Sequence, residues 1–179
     1  MLFSETGVTG IAAMQLARAA NLELSRSRKC AIRMNFLPGA SDDFIAQRAG
    51  MLPDRPLDDF LSGIVPKRLG QVLIKNAGIG PLSMPAGDLT LSQCKAIQRE
   101  LTAWTLNVKS TLGFDQAQVT CGGAELKDFD PETLESRRAP GLFAAGEVLD
   151  VDGDCGGFNL HWAWASANLC VQEILNRTR

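Results

Sequence analysis

The chain has 179 residues, of which 45% are hydrophobic and 21% charged, and its formal net charge is -2. This length and composition allow a folded core without disulfide bonds and argue against a disordered or coiled-coil protein. Because no basic cluster is interleaved with aromatic residues, the sequence also argues against a nucleic-acid partner.

The cysteines and the apolar runs indicate the compartment. The five cysteines are widely scattered and form no CxxC pair, which is typical of reduced thiols. No uninterrupted apolar run reaches the roughly 18 residues that a membrane-spanning helix needs, and no signal-peptide pattern opens the sequence. We therefore expect a cytoplasmic protein with no membrane partner.

The first part of the chain predicts a strand, a helix and a second strand. Residues 1–10 predict a strand that enters a glycine turn with no preceding element, which suggests a piece of a longer architecture. Apolar residues then recur at helical spacing and predict a helix that ends near Asn21. From Arg28 to Phe36 apolar and polar residues alternate, the period of a half-buried strand.

The middle of the chain predicts short amphipathic helices separated by proline and glycine. Their expected ranges are 41–49, 56–61, 66–75, where proline opens the helix, and 91–104, which a Thr90–Gln93 capping box precedes. Strand signals return at 105–111 and 117–120. The helical block is therefore expected to interrupt a β-rich unit.

The most informative stretch runs from Pro140 to Ala167. The short apolar run 141–146 is bounded by glycines, which predicts a buried parallel strand that delivers Glu147 at its C-terminal end. Ligands of open α/β sheets bind at such ends. After a loop rich in Asp and Gly, residues 158–175 are apolar almost all round and predict a buried helix.

The glycines in front of this last helix predict an anion-binding helix start. Gly156 and Gly157 carry no shielding side chains, and the N–H groups of a first turn lack intrahelical partners. The positive end of the helix dipole favours a negatively charged group at that point. The residue types alone thus predict a ligand site and leave its ligand open.

Several short motifs occur in a fixed order along the chain: Met1–Ser4 with Gly7–Gly10, Val65–Leu69, Val119–Gly123, Leu126–Pro131, Glu135–Ser136 and Pro140–Asp154. In these motifs the chain resembles the BaiN-like family of NAD(P)/FAD-dependent oxidoreductases, glutathione-reductase-related flavoproteins with a substrate domain and an inserted helical domain. The resemblance extends over nearly the whole sequence. It implies the C-terminal portion of such a protein.

The fold that the resemblance implies is an α+β fragment. Residues 1–36 and 104–119 would be β-rich pieces of the substrate domain, and residues 37–103 the inserted helical subdomain. Residues 120–179 would supply the C-terminal strand and helix of a Rossmann-like FAD-binding domain. In the intact protein, the implied reaction is hydride transfer between NAD(P)H or an organic substrate and FAD, with the substrate not fixed by the family.

The resemblance also implies which residues contact FAD. Gly146 and Glu147 would lie by the ribityl and pyrophosphate portion. The remaining expected cofactor-binding residues are Thr120, Gly122, Gly123, Asp154, Cys155, Gly156, Gly157, Phe158 and Asn159. A helix start aimed at the pyrimidine edge of the flavin would stabilise its reduced form by about 0.3–2 kcal/mol. No catalytic side chain is assigned.

One departure from the family pattern affects cofactor binding. The family opens with a G-x-G-x-x-G turn that binds the FAD pyrophosphate, and the 179 residues contain no such turn. We therefore expect the chain alone to hold FAD weakly or not at all and to be colourless. The alternative is a truncated, non-catalytic interaction or scaffolding module, whose exposed apolar surface would bind the missing N-terminal half or associate with itself.

Other interpretations of the last third are disfavoured. The aspartates of Asp150–Asp154 have the spacing of half a calcium loop, but Cys155 and His161 stand where that loop needs Gly and Glu, so we predict no metal. His161, the only histidine, is expected to pack or hydrogen-bond rather than catalyse. Cys155 has no nearby second cysteine for redox chemistry. Trp162 and Trp164 are expected in the core.

Overall fold

A computed structural model of the chain describes residues 1–5 and 7–178, which divide into two compact units. The first unit combines Met1–Lys29 with Lys109–Arg179, and the second is Cys30–Val108. The boundaries predicted from the sequence for a substrate domain, a helical insertion and an FAD-binding domain are not tested by this division and remain predictions.

Regular structure consists of short strands and mostly short helices. In chain order the elements are β1 (Leu2–Phe3), β2 (Val8–Thr9), α1 (Ile11–Ser25), β3 (Cys30–Met34), α2 (Phe44–Met51), α3 (Leu57–Phe60), α4 (Lys67–Asn76), α5 (Leu91–Ala103), β4 (Trp104–Val108) and α6 (Phe158–Arg177). Single 3-10 turns lie at Ala86–Asp88, Phe114–Gln116, Leu126–Asp128 and Gly146–Val148. Within the described residues, no helix is long and apolar enough to cross a bilayer.

The second unit contains an antiparallel pair, β3 with β4. The register runs from Cys30 opposite Val108 to Met34 opposite Trp104. Alternate residues of both strands pack on the helices, and Met34 and Trp104 are buried there. The alternation in the sequence therefore predicts both strands correctly, although each is shorter than expected.

Helices α2 to α5 surround the core of this second unit. Their fully buried apolar side chains include Ile45, Leu57, Phe60, Leu73, Ile74, Ile97 and Leu101. The four predicted helices are confirmed, with ends that differ by a few residues. In α4, for example, Pro66 is the cap residue before the helix rather than its first helical residue. The capping box is confirmed in full, since Thr90 and Gln93 exchange backbone-to-side-chain hydrogen bonds at the start of α5.

The first unit has a small core under α6. Leu149 and Cys170 are buried in it together with Phe129 and Leu134. The hairpin of β1 and β2 leads into α1, which continues beyond the predicted end at Asn21. A helix of this length can form without strong caps when one side of it is covered by its neighbours.

Three predictions for the first unit are wrong. Residues 141–146 form no strand, since only Phe143 makes an isolated bridge, to Glu135. Glycines at both ends of this run have positive φ, which bends the backbone away from an extended path. Residues 117–120 are irregular as well. Helix α6 is not buried all round, and the covered side of it is described below.

Candidate functional site

One face of α6 holds the segment that precedes Glu147. Trp162, Ser166 and Cys170 are spaced one helical turn apart and so share a face. The Gly146 N–H donates to Ser166 Oγ at 2.9 Å, and Trp162 Nε1 donates to the Gly146 carbonyl at 3.1 Å. The Cys170 thiol lies 3.5 Å from the Ala144 carbonyl oxygen. The backbone of Gly146 therefore forms hydrogen bonds with side chains of α6 instead of with a neighbouring strand, as the predicted strand would require.

Gly146 is required at this contact by its conformation. Its φ is +72°, and a Cβ added to it would meet Ala163 at 3.6 Å. The residue is buried, whereas Glu147 directly after it is exposed. Docking of the Gly146 peptide on α6 thus fixes the position of a solvent-accessible carboxylate.

A second segment runs parallel to the one that carries Glu147. Ala124 bridges Leu149 in parallel orientation, and the Ala124 N–H donates to the Val148 carbonyl at 2.8 Å. The Thr120 N–H donates to Glu147 Oε1 at 2.6 Å. The structure thus brings the predicted residues of the Thr120–Gly123 loop next to Glu147.

The two glycines of that loop differ in their surroundings. A Cβ on Gly123 would lie 2.6 Å from the Val148 carbonyl oxygen, so the two backbones touch. Gly122 has a φ of +94°, and a Cβ there would meet nothing within 4 Å among the described residues. Gly123 is therefore a packing glycine, while Gly122 borders open space.

The start of α6 is flanked by glycines with positive φ. Gly157, at +96°, is the cap residue, and its carbonyl accepts the His161 N–H at 2.9 Å. Gly157 has no side chain to cap the helix, so the first-turn amides stay available to an outside acceptor. Asn159 closes the preceding loop, because its side chain accepts from the Gly153 N–H and donates to the Gly153 carbonyl.

The other predicted residues of this region lie at or near the surface. Asp154 and Phe158 are exposed, and Cys155 is half-buried. His161 is exposed, so it does not pack in the core, and the alternative of a hydrogen-bonded, non-catalytic histidine stays a prediction. Among the described residues, no cluster of His, Cys, Asp and Glu has the arrangement of a metal site.

Two carboxylates of the first unit, those of Asp152 and Glu135, pair with groups that are distant in sequence. Asp152 Oδ2 accepts from the Arg18 guanidinium at 3.2 Å and from the Cys121 thiol at 3.1 Å. Arg177 pairs with Glu135 at 2.6 Å, and this hydrogen bond lowers the pKa of the Glu135 carboxyl. No sequence signal identifies these partners, because they lie far apart along the chain.

A row of exposed apolar residues lies on a different side of α6 from the covered face. Leu160, Trp164, Val171 and Ile174 share this side, which we call the α6 outer stripe, and Trp164 is 79% exposed. The expectation that Trp164 packs in the core is thus wrong. Trp162 is half-buried against the core, as expected.

Comparison with known proteins gives consistent results along the whole chain. Residues 3–173 match the family described as HI0933-like protein Rossmann domain. The chain is 35% identical over 181 residues to a 3-dehydro-bile acid delta(4,6)-reductase of Clostridium scindens, an alignment that covers 99% of this chain and 44% of the relative.

Two further relatives share a different name. A ribosomal RNA dihydrouridine synthase of Escherichia coli is 31% identical over 176 residues, covering 98% of this chain and 42% of the relative. A protein of the same name from Haemophilus influenzae is 30% identical over 175 residues, covering 97% and 42%. The chain thus spans less than half the length of the curated relatives it matches.

Proposed function

The chain belongs to the HI0933-like, or BaiN-like, family of FAD-dependent oxidoreductases, and on that premise we propose that it forms the flavin-ring side of an FAD site used for hydride transfer. The hydride would pass between NAD(P)H or an organic substrate and the flavin. The observation that carries this proposal is the start of α6, whose cap is the glycine Gly157 and whose first turn has no side-chain cap hydrogen bond.

The residues around this helix start suit the ring of FAD. Gly156 and Gly157 let a planar group approach the backbone closely, because neither carries a side chain. The amides of Phe158 and Asn159 would donate to the pyrimidine edge of the ring. The helix dipole would then favour negative charge at that edge by about 0.3–2 kcal/mol.

An acceptor for the cofactor's hydroxyl groups lies in the same unit. Glu147 is exposed, and its Oε1 accepts the Thr120 N–H. The second carboxylate oxygen can accept a hydrogen bond from a ribityl or ribose hydroxyl. When bound, FAD would supply the hydride acceptor and donor, while the protein residues bind and orient it.

The charge distribution favours a small organic substrate over RNA. Binding of RNA requires phosphates to be neutralised by clustered Lys and Arg side chains. The net charge here is -2, and Arg18, Arg137 and Arg177 are each engaged by a carboxylate. We therefore propose that the hydride partner resembles the bile-acid derivative of the Clostridium scindens relative more than the RNA of the other two.

The α6 outer stripe favours a second role, that of an interaction module. Each side chain of the stripe would gain about 1.5–3 kcal/mol on full burial. The proposed occupant is the apolar face of a polypeptide that binds the FAD diphosphate, because the 179 residues contain no G-x-G-x-x-G turn. In this role the chain binds that polypeptide but takes no part in flavin binding.

Co-expression tests both roles. We expect the chain to copurify, as a yellow complex, with a tagged segment of the Clostridium scindens relative comprising the part that the chain does not cover. Val171→Glu on the stripe should abolish copurification, because a charge would have to be buried without a partner. The matched control is Gln172→Glu, which adds the same carboxylate at the next, exposed position of α6.

The outcomes separate the two roles. Copurification of a colourless complex that depends on Val171 would favour the interaction module and count against the flavin site. If Gln172→Glu abolishes the complex as well, the loss in Val171→Glu is not specific to the α6 outer stripe, and the stripe is not the binding surface. A chain that remains alone, with or without flavin added, would contradict both.

A further inference from the structure

A single carboxylate joins three distant segments of the first unit. Asp152 Oδ2 accepts hydrogen bonds from Arg18 on α1, at 3.2 Å, and from the Cys121 thiol, at 3.1 Å. Arg18 is 134 residues from Asp152 in sequence, and Cys121 is 31 residues from it. The Asp152 side chain is 19% exposed and that of Arg18 53% exposed, so the contact lies at the surface of the unit.

The loop that contains Cys121 has its other side-chain anchor at Glu147. That anchor is the 2.6 Å hydrogen bond from the Thr120 N–H to Glu147 Oε1. Glu147 is exposed and is the carboxylate that cofactor hydroxyls would engage. The loop and the cofactor would therefore share the Glu147 side chain, the loop through Oε1 and the cofactor through the second carboxylate oxygen.

We propose that Asp152 is a positioning residue, which holds the Thr120–Gly123 loop and α1 in place through Cys121 and Arg18 independently of Glu147. We call the hydrogen bonds of Asp152 with Arg18 and Cys121 the clamp. The role of the loop at a flavin rests on the proposed function, whereas the clamp itself does not. Cys121 acts in it as a hydrogen-bond donor and not as a nucleophile.

The electrostatics of the thiol agree with a donor role. Burial is the main cause that raises the pKa of Cys121, and the hydrogen bond and charge of Asp152 raise it further. Asp150 acts in the same direction, whereas the Arg18 guanidinium lowers the pKa of the thiol. The thiol therefore remains protonated at neutral pH and can donate its hydrogen.

Asp152 and Arg18 shift the pKa of Cys121 in opposite directions, which distinguishes the clamp from a loosened loop. Asp152→Asn removes the negative charge, so the pKa of Cys121 should fall. Arg18→Met removes the positive charge, so the pKa of Cys121 should rise. A loop that is merely loosened by either substitution would shift the pKa in the same direction in both variants, because the loss of burial is common to them.

The experiment is pulse alkylation of the full chain with iodoacetamide across a range of pH, read for each cysteine by peptide mass spectrometry. Relative to the wild-type chain, the pH midpoint of Cys121 alkylation should move down in Asp152→Asn and up in Arg18→Met. Cys170, which is 6% exposed in the core of the first unit, serves as an internal control for that unit's folding.

Shifts in the same direction, or no shift in either variant, would overturn the clamp. If Asp152→Asn makes Cys170 reactive and so reports unfolding of the first unit, the upward shift in Arg18→Met decides alone. The measurement is made without flavin, so its failure is distinct from a failure of the proposed function. The latter would appear as a colourless co-expressed complex while the two alkylation shifts persist.

Discussion

Substitution of Gly123 by alanine is expected to destabilise the first unit by about 3 kcal/mol. The added Cβ would lie 2.6 Å from the Val148 carbonyl oxygen, 2.9 Å from the Leu149 carbonyl carbon and 3.0 Å from the Asp150 nitrogen. All three are backbone atoms, so no rotamer change can relieve the overlap. The parallel contact between Ala124 and Leu149 would have to open.

Gly122→Ala is the matched control for this prediction. Its φ of +94° imposes strain of about 1–2 kcal/mol on any residue with a Cβ, but the space around it is open within the described residues. Urea unfolding of the two variants measures the difference. Equal losses of unfolding free energy would mean that the close approach of the two backbones does not exist.

Substitution of Ser166 by alanine is expected to cost about 1–3 kcal/mol of stability. Ser166 is 1% exposed, and its Oγ accepts from the buried Gly146 N–H at 2.9 Å. The alanine variant would leave that N–H without a partner and unable to reach water. The substitution should also loosen the position of Glu147, which follows directly.

Thr178→Ala in the same helix provides the comparison. The Thr178 hydroxyl, at the exposed C-terminal cap of α6, donates to carbonyls of that helix at 3.1 Å. We expect its loss to change stability by no more than about 0.5 kcal/mol. Thermal unfolding of both variants checks the pair, and a Ser166→Ala variant as stable as Thr178→Ala would contradict the docking of Gly146 on α6.

The second unit was predictable because its signals are local. The strand signals in the sequence predicted β3 and β4. Proline, glycine and the Thr90–Gln93 capping box indicated the helix ends. These signals act through a few neighbouring residues and depend little on distant contacts. Only the ends of the elements shifted, as expected when the last turn is decided by packing.

The first unit was harder to predict because its contacts are distant. The apolar run 141–146 satisfies the composition of a strand, yet Gly146 bonds to side chains of α6 instead of to a strand. The apolar character of α6 was evident in the sequence. Which of its faces is covered was not, because composition does not identify the partner that a face contacts.

The candidate site was partly predictable for the same physical reason. Glycines that need positive φ or a close approach are visible as residue types, and Gly123, Gly146 and Gly157 all have such roles. The partners of Asp152 are not visible, because ion pairs between distant segments leave no spacing pattern. Asp152 appeared in the sequence only as one member of an acidic loop.

The most direct test of the flavin site is a crystal structure of the FAD-bound complex that contains this chain. We predict that the amide nitrogens of Phe158 or Asn159 lie within about 3.5 Å of the flavin N1 or C2 carbonyl oxygen. Glu147 should accept a hydrogen bond from a cofactor hydroxyl. A flavin ring held elsewhere, with the start of α6 covered by protein alone, would contradict the assignment.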